Sequence, residues 1–87
     1  MDFSQALLAL KEGQSVFRSG WNGKQMLLLL QLPTPESKMT KPYIYMRIPC
    51  SAPQFDGQET FSLDGFERIP WLASQADLLS MDWEVDL

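Results

Sequence analysis

The sequence has no histidine and a single cysteine, Cys50, among its 87 residues. The absence of histidine removes the commonest general base and a favoured metal ligand. One cysteine forms no internal disulfide, and with no partner at ligand spacing it makes no structural zinc site. Cys50 also has no base beside it, so it reads as a small apolar side chain more readily than as a reactive thiol. The longest apolar run, 26–30, falls far short of the roughly 20 residues that cross a bilayer. Residues 1–13 carry apolar side chains but no basic leader and no cleavage signal, so no signal peptide is expected. Phosphate-loop, dinucleotide-binding and nucleophile-elbow patterns are missing too. These absences point away from an enzyme, a cofactor and a membrane, and toward the cytoplasm.

The length sets a single domain over 1–87. Such a domain buries only about 60–65% of the surface its unfolded chain exposes, so its own core is marginal. With disulfides and metals excluded, oligomerisation is the remaining source of stability. The net charge of -4 argues against DNA or RNA as a partner. The charge is uneven: residues 11–47 hold six bases against two acids, and 59–87 hold seven acids against one base. That asymmetry is either chance or the mark of a pocket for a small anion.

Hydrophobic spacing predicts an α+β fold: a small antiparallel sheet of about six short strands, an N-terminal helix and a short C-terminal helix. Phe3, Ala6, Leu7 and Leu10 form one helical stripe over 2–12. Asp2 and Gln5 stand at capping-box spacing, and Gly13 suits a left-handed stop. Strands are expected at 15–21, 25–32, 43–48, 60–63, 66–69 and 83–87, with Asn22-Gly23 and Asp64-Gly65 as hairpin turns. The strand at 25–32 is apolar on both faces, so either this chain covers both or one meets another subunit. Ser74 and Asp77 form a capping pattern for a helix over 74–80. Trp83 alternates with acids and reads as core.

Two clusters offer chemistry. In 18–24, Arg18, Trp21, Asn22 and Lys24 surround a tight turn, and Gly20 and Gly23 would let a ligand approach the backbone. In 70–77, Trp71 precedes Ser74, Gln75 and Asp77 at a helix start, where free N–H groups favour anionic oxygens. An indole beside a cation can seat a nucleobase, and Arg18 and Lys24 can meet phosphates. Trp21 and Trp71 read equally as core, and the cations equally as solvated surface. Tyr43, Tyr45 and Arg47 share one strand face and form a third, weaker group, fit for a pocket, an interface or ordinary sheet cover.

The segments 1–13, 20–24 and 70–84, with the Asp-Gly turn before Pro70-Trp71, resemble the family of Thoeris anti-defence protein 2, short phage and prophage proteins. The likeness covers both ends of the chain, and 32–60 does not align with it. The resemblance implies a sponge in the bacterial cytoplasm. Members bind cyclic ADP-ribose-type immune signals without cleaving them, assemble as homotetramers, and in some cases hold cyclic dinucleotides in separate pockets. Carried over by motif, Trp21, Asn22, Trp71, Ser74 and Asp77 are first-rank ligand contacts. Gln75, Arg18 and Lys24 follow, the two cations facing a pyrophosphate. No metal and no catalytic residue is implied. The alternatives are a hydrolase of the same nucleotide using Asp77 or Glu84, and an interaction module that masks a host protein.

Overall fold

The computed structural model describes residues 1–21, 25–49 and 65–87. Helix α1 runs Phe3–Lys11. Its start is a full capping box: the Gln5 N–H donates to Asp2 Oδ1 at 2.9 Å and the Asp2 N–H donates to Gln5 Oε1 at 3.0 Å. Its end is a glycine stop. Gly13 takes φ +87°, its N–H reaches the Leu10 carbonyl at 3.0 Å and the Gln14 N–H reaches that of Ala9 at 3.0 Å. Two otherwise orphaned carbonyls are thereby satisfied.

Five strands follow: β1 (Val16–Arg18), β2 (Leu27–Gln31), β3 (Tyr43–Pro49), β4 (Phe66–Pro70) and β5 (Trp83–Val85). Helix α2 (Gln75–Leu79) lies between the last two. The sheet is antiparallel in the order β4-β3-β2-β1-β5. The α+β class is as expected from the sequence. The strand expected at 60–63 lies outside the described residues, as do Cys50, the Asn22-Gly23 turn and Asp64.

Three strands are shorter than their patterns suggest, β5 ending at Val85 and the first two for local reasons. β1 stops at Arg18 because the chain turns there, the Trp21 N–H closing on the Arg18 carbonyl at 3.1 Å. β2 starts only at Leu27 because Gln25 sits at φ +62°, a left-handed conformation that no strand residue holds.

The register decides the faces. Val16 pairs with Leu28 and Val85, Leu28 with Met46, and Arg18 with Trp83. Side chains alternate across a sheet, so these residues share one face, and α1 lies on it. The core there is Ala6, Ala9, Leu10, Val16, Leu28, Met46 and Trp83, flanked by half-buried Phe3, Leu7, Trp21, Leu30, Ile44 and Trp71. The other face carries Leu27, Leu29, Tyr43, Tyr45 and Arg47. Leu27 is nevertheless buried and Leu29 half-buried, so both faces of β2 are covered to a large degree. On that face Arg47 lies over the Phe66 ring at 4.6 Å, a cation–π contact that secures β4 to β3.

Candidate functional site

Three tryptophans from distant parts of the chain meet at one point. Trp83 is 1% exposed, and its Nε1–H donates to the Asp77 carbonyl at 2.9 Å. Its only polar atom is therefore satisfied inside the core. Around it stand Trp21 with centroids 5.4 Å apart, Phe3 at 5.3 Å and Trp71 at 6.1 Å, all in edge-on geometry. Phe3 also touches Trp71 at 5.8 Å. Each such pair adds about 0.5–1.5 kcal/mol beyond area burial.

A second network runs alongside. Arg18 Nη1 donates to Asp77 Oδ1 at 2.8 Å and Arg18 Nε to Asp82 Oδ1 at 2.9 Å. The Trp21 indole N–H reaches the same Asp77 oxygen at 3.3 Å. Asp77 Oδ2 accepts from the Ser74 N–H at 3.0 Å, while the Asp77 N–H donates to Ser74 Oγ at 3.0 Å. Asp82 Oδ2 accepts from the Gly20 N–H at 2.9 Å. Burial pushes the Asp77 carboxyl up, but the hydrogen bonds from Ser74, Arg18 and Trp21 outweigh it and hold it below its usual value. Arg18 does most to hold Asp82 low, against a smaller burial effect, with the Gly20 N–H assisting. The two carboxylates in turn hold the Arg18 guanidinium above its already high value, Asp82 foremost.

Of the residues singled out in the sequence, Arg18, Trp21, Trp71, Ser74 and Asp77 thus come together around Trp83. Gln75 is exposed at the start of α2. Asn22 and Lys24 lie outside the described residues. Two local readings change. The feature that approaches Gly20 is the chain's own Asp82: a Cβ there would lie 2.7 Å from Asp82 Oδ2. At the start of α2 the capping box engages the Ser74 and Asp77 N–H groups, which leaves those of Gln75 and Ala76 outside it.

Two cavities adjoin this cluster. The larger, about 630 Å³, is lined by Gln31, Lys41, Tyr43, Tyr45, Arg68 and Trp71, among others. Its size lies within the roughly 300–1,000 Å³ usual for small-molecule sites. Among the described residues that line it, Lys41 and Arg68 are the charged ones and none is a carboxylate. The smaller, about 340 Å³, is lined by Arg18, Trp21, Gln25, Met26 and Asp86, among others. The Arg18 guanidinium there is paired with both Asp77 and Asp82. Tyr43 and Tyr45, whose rings lie 6.4 Å apart, were legible as a strand face. Lys41 and Arg68 carried no motif signal, since a single base in a loop or strand looks like ordinary surface.

Among the described residues no three His, Cys, Asp or Glu side chains are grouped to hold a metal, and no helix is long and apolar enough to cross a membrane.

The fold and the cluster define a small α+β protein with an aromatic, cation-lined cavity at the end of its sheet. The sequence matches the family described as Tad2-like, the Thoeris anti-defense 2-like domain, over residues 1–85. It is also 37% identical over 90 residues to a protein of Bacillus phage SP01 named Thoeris anti-defense 2, covering 98% of this chain and 93% of that one. The chain belongs to the Thoeris anti-defense 2-like family.

Proposed function

We propose that this protein is a phage-type anti-defence sponge, which binds a cyclic ADP-ribose-type signal, or a cyclic dinucleotide, and holds it without cleaving it. The observation that carries the reading is the 630 Å³ cavity in which Trp71, Tyr43 and Tyr45 stand beside Lys41 and Arg68. Such ligands present flat base surface and two negatively charged phosphate groups, joined as a pyrophosphate in the cyclic ADP-ribose type and separate in a cyclic dinucleotide. Aromatic faces take the former at about 1–3 kcal/mol per base, and cations take the latter through charge-assisted bonds. Trp71 is the stacking platform in this proposal, with Ser74 and Gln75 close by in sequence for ribose hydroxyls. Trp21 and Arg18 belong to the second corner, and Asp77 binds both of them; Asn22 and Lys24, next to Trp21 in sequence, are proposed contacts of the same ligand. Retention without cleavage is supported by the chemistry of the walls: the chain has no histidine, and none of the described residues lining the larger cavity is a carboxylate, so none of them is a ready general base.

Assembly into a homotetramer is part of the proposal. A sponge must outcompete an effector, and nanomolar affinity corresponds to about -12 kcal/mol, which calls for a ligand shut off from water. In one chain the cavity rim is open, with Tyr43 and Ile69 exposed. Leu72, Leu79 and Met81 are also 91%, 80% and 70% exposed, an apolar surface that a second copy would cover.

The test is to incubate the purified protein with a panel of cyclic ADP-ribose isomers and cyclic dinucleotides, then heat-denature it and analyse the released small molecule. Intact ligand supports sequestration. A chemically altered ligand points to a hydrolase. Failure to bind any member of the panel, together with stoichiometric capture of one host protein, points to a masking module.

A further inference from the structure

Both carboxylate oxygens of Asp77 are engaged within the chain. One side-chain oxygen takes Arg18 Nη1 at 2.8 Å and the Trp21 indole N–H at 3.3 Å; the other takes the Ser74 N–H at 3.0 Å. Its backbone carbonyl takes the Trp83 indole N–H at 2.9 Å. The carboxylate side chain is 13% exposed. One residue at the first turn of α2 therefore ties two of the three indoles and the cation between them. Trp83, held in this way, stands at 88° to Trp71 with centroids 6.1 Å apart. Groups that touch a ligand keep their geometry only when the side chains behind them are locked.

We infer that Asp77 is a positioning residue, whose side chain, holding Arg18 and Trp21, fixes the indole wall of Trp21 and Trp83 against which Trp71 stands at the cavity. The effect on affinity rests on the sequestering reading; the effect on the indoles does not. An asparagine keeps one acceptor oxygen only, so in Asp77→Asn either Arg18 and Trp21 or the Ser74 N–H must face an amide donor. Arg18→Lys breaks the same clamp from the other side and leaves the helix cap whole, which guards against a variant that simply fails to fold.

Two measurements decide the matter. In the ligand-free protein, both variants lose near-ultraviolet circular dichroism from the tryptophans while far-ultraviolet spectra stay the same. With a cyclic ADP-ribose isomer, Asp77→Asn binds about tenfold more weakly, chiefly through faster dissociation. An unchanged ligand-free spectrum with lost affinity would show Asp77 to be a direct contact and overturn the inference. A changed spectrum with affinity intact would leave Asp77 a purely structural residue and overturn it equally. If the wild-type protein binds no cyclic nucleotide, the sequestering reading fails, and the ligand-free spectra of the two variants still decide whether Asp77 sets the indoles.

Discussion

The indole of Trp71 meets that of Trp83 edge-on, at 88° and 6.1 Å between centroids. The tryptophan that lines the larger cavity is thus braced by one that is fully buried. Truncating Trp71 removes the stacking platform and leaves most of the core in place. Trp71→Ala is expected to weaken cyclic nucleotide binding by about 5–150-fold, the equivalent of one base stack. Trp71→Phe should retain part of it. Titration calorimetry on both variants checks the order, and equal affinity for wild type and Trp71→Ala would remove Trp71 from the site.

Lys41 lies on an exposed loop at the cavity wall. Its ammonium group attracts a pyrophosphate but packs little. Lys41→Ala should cost about tenfold in affinity and flatten the salt dependence of binding, while thermal stability moves by no more than about 0.5 kcal/mol. Binding measured at two salt concentrations alongside a melting curve tests this; a salt dependence identical to wild type would place the phosphate elsewhere.

Leu10 is 1% exposed where α1 meets the sheet. Leu10→Ala is expected to cost about 2–5 kcal/mol. A small domain has only about 5–15 kcal/mol in total, so the variant should unfold at markedly lower urea concentration. A midpoint within error of wild type would mean that α1 packs differently in solution.

Asp77 and Asp82 are both held below their ordinary carboxyl value in the fold. Their contribution to stability is therefore complete above the unfolded value of about 3.9 and is lost as pH falls through the lower folded values. Arg18→Met removes the cation that lowers both. The stability gap between wild type and Arg18→Met should be constant from pH 7 to about pH 5 and shrink below about pH 4. Urea midpoints across that range measure it, and a gap that stays the same at acid pH counts against the clamp.

Leu72 and Leu79 expose most of their surface beside α2. If a second copy covers them, Leu72→Ser with Leu79→Ser lowers the native mass seen by light scattering and weakens ligand retention together. A native mass unchanged from wild type would move the subunit contact to another face.

Much of this molecule could be read before any coordinates. The period of Phe3, Ala6, Leu7 and Leu10 marked α1, and Asp2, Gln5, Gly13, Ser74 and Asp77 marked the helix ends, because caps and stops depend on neighbours within a few residues. Alternation placed Trp83 inside and Tyr43 and Tyr45 on a common face. Strand ends were less legible, since the left-handed Gln25 and the turn at 18–21 carry no such period.

What local sequence could not decide was who pairs with whom. Whether Asp77 faces a ligand or Arg18, 59 residues away, depends on β5 lying beside β1, and no short-range pattern encodes that pairing. The same holds for Lys41 and Arg68, which share a cavity wall because β3 and β4 are neighbours and which look like unremarkable surface bases in the linear chain. Periodicity and capping are local physics and belong to the sequence. The meeting of charges and rings from distant segments is a product of sheet order, and only the folded chain specifies it.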